Sequence, residues 1–183
     1  ESTEAVQAVV KLAQQYGVSL YPISRGKNIG YGEKAPAQDG CLVLSLERMR
    51  TIRDFDAVTG EVTIEPGVSQ SDLYEFLQAQ GGTYFADMTG APGDASIVGN
   101  ILEGGFGHTP YGEHRKNISD IEVVLGTGAL FRAGDFPNLG PNLASLFIQS
   151  NFGVVTALRV PLLLMPEHVE MYVISFSSSE KFF

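Results

Sequence analysis

The sequence predicts an α+β fold in two lobes, a small α/β lobe over residues 1–86 and a larger, mainly antiparallel β lobe with helices over residues 87–183. Three observations carry this expectation. Apolar residues at helical spacing open the chain; β-like runs follow, each closed by glycine or proline; and a glycine-crowded segment after residue 86 gives way to alternating strands. At 183 residues, 44% apolar and 18% charged, the chain is long and apolar enough to bury a core.

The elements follow in order. Residues 3–16 place Ala5, Val6, Val9, Val10, Leu12 and Ala13 on one helical stripe, with Ser2 or Thr3 as cap and Gly17 as stop. A short run over 18–23 reads as a strand and delivers the chain into Ser24-Arg-Gly-Lys-Asn-Ile-Gly-Tyr-Gly32. Runs over 41–46, 51–55 and 61–65 are strands, the last stopped by Pro66-Gly67. The run Val68-Ser69-Gln70-Ser71 caps a helix carrying Leu73, Phe76 and Leu77, which ends at Gly81-Gly82. In the second lobe residues 95–103 form one short helix, and residues 120–132 form a hairpin about Gly126-Thr-Gly128. A helix over 142–149, a strand over 153–160 and, after Pro166, a strand over 169–176 complete the chain. No repeat or long linker separates the lobes, so they are expected to share one ligand between them.

Charge and composition remove several function classes. Lys+Arg 12 against Asp+Glu 21 gives a net charge of −9, the wrong sign for tracking nucleic-acid phosphates or anionic membrane surfaces, though one basic loop can still hold a phosphate ligand. Cys41 alone builds neither an intramolecular disulfide nor a cysteine zinc site, and at the head of an apolar strand it reads as a small buried thiol. There is no H-x-x-H or H-E-x-x-H pattern, so no metal is expected, and no G-x-S-x-G elbow. No apolar run has transmembrane length, which implies a soluble protein of the cytoplasm or periplasm; the start at Glu1 reads as an excerpt.

Of the 21 glycines, ten fall in two regions. The loop 24–32 has the spacing G-x-x-x-G-x-G, which is neither a dinucleotide fingerprint nor a P-loop. It fits either a surface turn or an anion nest of successive N–H groups near Gly26 and Gly30, with Arg25 and Lys27 adding positive charge. The second region, 89–114, holds small residues that let backbone approach a flat ligand, or that serve turns and bulges. Its titratable residues are Asp94, His108, Tyr111, Glu113 and His114. Glu113 beside His114 is either a general acid/base or a surface ion pair; His168 is an exposed loop histidine.

Five strings in sequence order, Pro22-Ile-Ser-Arg-Gly-Lys-Asn-Ile-Gly-Tyr-Gly32, Glu65-Pro-Gly-Val68, Ser96-Ile-Val-Gly-Asn100, Thr109-Pro-Tyr-Gly-Glu-His114 and Gln149-Ser-Asn-Phe-Gly-Val-Val-Thr156, resemble the PCMH-type FAD-binding domain of the vanillyl-alcohol oxidase/p-cresol methylhydroxylase flavoprotein family. The resemblance implies FAD as cofactor. It implies that Ser24, Arg25, Gly26, Lys27, Asn28, Ile29 and Gly30 hold the pyrophosphate, that Pro66, Gly67 and Val154 lie along the adenosine end, and that Pro92, Ser96, Gly99, Asn100, Gly104, Gly105, Tyr111 and Gly112 line the ribityl chain and ring. Glu113 matches an acidic position near the flavin and is the candidate catalytic group.

The implied activity is an FAD-dependent oxidoreductase that accepts a hydride from a small organic donor, a 4-alkylphenol or another hydroxylated compound. The implied partners are a small-molecule substrate, a substrate or cap domain or subunit, and a cytochrome or other electron acceptor. Such proteins continue into a cap domain, whereas this sequence stops at Phe183 and its 134–141 segment is short. The alternatives are a non-catalytic flavin-binding module or subunit, and a domain like that of the peptidoglycan-precursor reductases.

Overall fold

Helix α1 (Thr3–Tyr16) forms where its stripe predicts: the Ser2 side chain accepts from Ala5 N, Gly17 closes the helix at φ +64°, and Val6, Val10 and Ala13 are buried. This and all that follows is read from a computed structural model that describes residues 1–27, 34–36, 38–107, 109, 112–136, 140, 142–170 and 172–178. The next strands are β1 (Leu20–Ile23) and β2 (Leu42–Ser45), paired in parallel with Leu20 opposite Leu42. β2 starts one residue after Cys41, which is half-buried rather than enclosed, and Leu42 and Val43 are exposed.

Strands β3 (Ile52–Asp56) and β4 (Glu61–Ile64) turn about Asp56, whose Oδ1 accepts from Val58 N and Thr59 N. Helix α2 (Gln70–Ala79) carries a complete capping box, in which Ser69 and Asp72 satisfy each other's backbone N–H groups. Strand β5 (Tyr84–Phe85) is followed by helix α3 (Ile97–Leu102), capped by Ser96. The expected hairpin is β6 (Asp120–Leu125) with β7 (Leu130–Arg132), and the chain continues through β8 (Gly153–Pro161) and β9 (Leu163–Leu164).

Five strands form one antiparallel sheet in the order β3-β4-β8-β6-β7, with two-stranded sheets β1-β2 and β5-β9 beside it. The central sheet draws strands from both sides of residue 86. Strand periodicity divides its core in two. Ile121, Val123 and Val155 face a cluster with Leu73 and Leu77 of α2 and Val98 and Ile101 of α3, while Val124 and Val154 face Val6 and Val10 of α1 and Leu46 and Met49. Glu122 shares the α1 side and fastens it: Thr3 and Thr156 hydroxyls donate to Oε1 at 2.9 and 2.8 Å, and Arg132 Nε donates to Oε2 at 2.9 Å.

Two expected elements differ. Residues 142–149 do not make an α-helix; Leu143–Phe147 is a 3-10 turn started by the Asn142 side chain, which accepts from Ala144 N. The expected strand 169–176 is absent among its described residues, and Val169, Tyr172, Val173 and Ile174 are largely exposed. Its alternating pattern pairs with no strand among the described residues, and an unpaired strand is unstable in water. The strand after Pro161 is instead β9, which closes on β5. Among the described residues no helix is long and apolar enough to cross a membrane.

Candidate functional site

Between the α1-side layer and α3 lies a cavity of about 380 Å³, a size typical of small-molecule sites. Its walls come from the end of β1, the loop Ser24 to Lys27, Thr89 to Ala91, the cap and body of α3, Phe106, the segment around Gln149, and the start of β8. Val154 and Val155 at the start of β8 reach its edge, and Ile23, Leu46, Leu102, Phe106 and Phe147 add to its apolar wall.

The loop 24–27 is set by its own cations. Arg25 Nε donates to Asp94 O at 2.6 Å and Nη1 donates to Gly67 O at 2.9 Å, so the guanidinium ties three segments together. Lys27 Nζ lies 2.9 Å from Asp94 Oδ2, and its hydrogen bond holds that carboxyl below the usual carboxylate range. Gly26 sits at φ +59°, a left-handed conformation that side-chain-bearing residues disfavour. Pro66 lines the cavity and Gly67 does not. The glycine at 67 is required by a backbone crossing: its N–H donates to Met49 O at 2.7 Å, and a Cβ there would lie 2.5 Å from that oxygen and closer still to Glu47 O.

Ser96, Gly99 and Asn100 bring α3 into the wall. The buried Ser96 hydroxyl donates to Pro66 O at 2.6 Å and accepts from Gly99 N at 2.9 Å, so both its capacities are used inside the protein. At Gly99 a Cβ would lie 2.7 Å from Ser24 Oγ, so glycine lets the helix reach the loop. Asn100 Oδ1 accepts from His114 Nδ1 at 2.7 Å. Glu103 also faces the cavity, and burial pushes its carboxyl up.

The remaining candidates stand outside the lining. Pro92 O accepts from Ala95 N at 2.9 Å in the turn before α3. Gly104 and Gly112 have φ +71° and +74°, and Gly105 lies against the Asn100 amide, where a Cβ would overlap it. Glu113 pairs with Arg115 Nε at 2.6 Å and Lys116 Nζ at 3.5 Å, and the Arg115 hydrogen bond holds its carboxyl low. Its backbone bridges Phe106, which does line the cavity. His168 is exposed and pairs with Glu170 at 2.8 Å. Asn28, Ile29, Gly30, His108 and Tyr111 lie outside the described residues.

Sequence reasoning did not pick out Thr89, Phe106, Gln149 or Gly153 as lining residues. The string Gln149 to Thr156 carried the signal for the last two, and Thr89-Gly-Ala for the first. Phe106 had none beyond its glycine neighbours.

Small residues, apolar strand ends and a cationic glycine loop meet around one cleft, a lining suited to a flat ring joined to an anionic tail. The family model described as FAD binding domain matches residues 1–134, and the chain belongs to that family. It is 41% identical over 183 residues to 1'-carboxy-chondrochloren decarboxylase of Chondromyces crocatus, covering 93% of this chain and 34% of that one. Among solved structures, 4-ethylphenol oxidase from Gulosibacter chungangensis superposes with a TM-score of 0.85 at 34% identity, over 91% of this chain and 34% of that one. The structure of p-cresol methylhydroxylase with substrate bound gives 0.86 at 32%, over 91% and 35%. The chain spans about a third of the length of the curated relatives it matches.

The family's cofactor is FAD, and the residues present fit it. The Gly26 turn stands beside the side chains of Lys27 and Lys34, cations that suit an anionic tail, while the glycines at 99 and 153, where a Cβ would meet Ser24 and Val123, let backbone pack closely at the wall.

Proposed function

We propose that the cavity is the FAD site and that the chain is the flavin-binding portion of an oxidoreductase acting on a small organic donor, a 4-alkylphenol or other hydroxylated compound. The observation that carries this reading is convergence. Ser24 to Lys27, Pro66, Ser96 to Asn100 and Val154 are far apart in sequence and meet around one cleft.

Bound there, FAD supplies the two-electron acceptor. The chain's own part is to hold and tune it. Lys27 and the backbone at Gly26 bind the anionic tail, Asn100 offers its amide to the polar edge of the ligand, and Phe106, Phe147 and Val154 exclude water. Glu113 takes the electrostatic role by its place in the Thr109 to His114 string, with Arg115 and Lys116 keeping it ionised. The substrate pocket and the electron acceptor, a cytochrome or another redox partner, belong to polypeptide beyond these residues or to a second subunit.

A second reading, a flavin-binding module without turnover, draws on the chain's one-third share of its relatives. The test is anaerobic addition of 4-alkylphenols to the FAD-loaded polypeptide extended by its native downstream sequence. Bleaching of the oxidised flavin band supports the oxidoreductase; bound FAD that no donor or NADPH bleaches leaves the module. In the same assay Glu113→Gln keeps FAD and slows bleaching, and unchanged kinetics assign Glu113 to its ion pairs alone.

A further inference from the structure

A buried polar cluster lies behind the cavity wall. Asp87 and His114 are 9% and 6% exposed at their side chains, with His114 Nε2 3.3 Å from Asp87 Oδ2 but not aligned as a hydrogen bond. Among the described residues, Asp87 Oδ1 and His114 Nε2 are buried without hydrogen-bond partners. Thr109 Oγ1 donates to Asp87 Oδ2 at 2.8 Å, and His114 N donates to Gly105 O at 3.1 Å, fixing both ends of the cluster. His114 is not among the residues lining the cavity, and among the described residues its side chain is linked to that lining through Asn100.

The hydrogen-bond inventory makes this link directional. An amide oxygen only accepts, so the contact to Asn100 Oδ1 places a proton on His114 Nδ1 and leaves the Asn100 Nδ2 donor as the other polar end of a cavity-lining side chain. A neutral ring in this tautomer then turns a bare Nε2 lone pair toward a carboxylate. One proton shared by His114 and Asp87 removes the clash. Without it, the favourable neutral tautomer carries the proton on Nε2, toward Asp87. Nδ1 then accepts, and Asn100 must turn its amide over, presenting Oδ1 as the other polar end.

We propose that the Asp87–His114 pair is a proton-operated positioning device that sets which end of the Asn100 amide, donor or acceptor, faces the cofactor cavity. It rests on the cavity being the FAD site. Burial favours releasing the His114 proton and outweighs Asp87, which opposes release, so the ring gives up its proton below the ordinary histidine range. Among the described residues, α3 brings no charged group to the ring, the segment after β5 brings Asp87, and the ring's own turn brings Glu113, Arg115 and Lys116, which pair with one another. FAD presents mostly acceptors and anionic oxygens, so it selects the donor form and binds together with a proton.

The test has two arms on this chain. FAD titrations from pH 5.5 to 8.5 should show affinity falling roughly two- to ten-fold as pH rises, the worth of one hydrogen bond, with proton uptake on binding. His114→Gln should flatten that profile and abolish the uptake. Retained FAD with pH-independent affinity, or an unchanged profile in His114→Gln, overturns the proposal and leaves the FAD site standing. The second arm needs no cofactor: ring nitrogen chemical shifts of His114 should show Nδ1, not Nε2, losing its proton at high pH. Loss from Nε2 overturns the proposal even where FAD fails to bind, an outcome that would by itself remove the site assignment.

Discussion

Ser96→Ala separates a residue that builds the wall from one that holds the cofactor. Its hydroxyl caps α3 through Gly99 N at 2.9 Å and donates to the buried Pro66 O at 2.6 Å. Losing an N-cap costs about 1 kcal/mol, and stranding a buried carbonyl costs about 1–3 kcal/mol. The sum is about 2–4 kcal/mol, which for a chain of this size is a fall in Tm of about 4 to 16 °C. The measurement is urea and thermal unfolding of the cofactor-free chain, followed by FAD titration below the new Tm. The cofactor-free variant should be destabilised by the full amount and bind FAD with little change. If the cofactor-free variant unfolds within about 0.5 kcal/mol of the parent while FAD affinity falls, the hydroxyl is a cofactor ligand and the hydrogen-bond argument fails.

Three further outcomes follow from the geometry. Gly67→Ala should cost about 3 kcal/mol or more, because the new Cβ meets the Glu47 and Met49 carbonyls, backbone that cannot rotate away; soluble protein with a parental Tm would contradict the crossing. Gly26→Val puts a β-branched residue at φ +59°, a local strain of about 1–2 kcal/mol, and must push aside the aliphatic stem of Lys34, an exposed side chain; circular dichroism should show a folded chain and absorbance a loss of FAD, and full flavin content would refute the loop assignment. For Asp72, burial raises the carboxyl but is outweighed by hydrogen bonds from Arg50 and Ser69, which lower it from 3.8 to about 2. A lowered folded-state value stabilises above the unfolded value and is lost as pH falls from about 4 through about 2; Asp72→Asn should cost about 1–2 kcal/mol at pH 7 after solvent screening and flatten the acid limb of stability against pH.

Legibility tracked the range of the forces involved. α1, α2 and the β6–β7 hairpin were readable because Ser2 with Gly17, Ser69 with Asp72, and Gly126-Thr-Gly128 act within a turn of their elements. The strand expected at 169–176 had the right alternation, but alternation says nothing of a partner strand, and its described residues pair with none. In the site, the loop 24–27 and the α3 cap region were legible as small-residue clusters. The direction of Arg25 was not: sequence suggests a cation for a phosphate, while the structure turns the guanidinium to the Gly67 and Asp94 carbonyls. The Asp87–His114–Asn100 cluster was equally hidden, since it joins residues from three segments through contacts no spacing rule encodes.

The position of β8 in the sheet bears on how the protein is made. Residues 61–64 find their inner neighbour only at residues 158–161, and the same strand supplies Val154 and Val155 to the cavity. Closing such a long loop is slow. During synthesis the β3–β4 pair must therefore wait, with its inner edge unpaired, until nearly the whole of this segment has left the ribosome. Cofactor capture is then a late event on the nascent chain, and chaperones that shield open strand edges should act before FAD does.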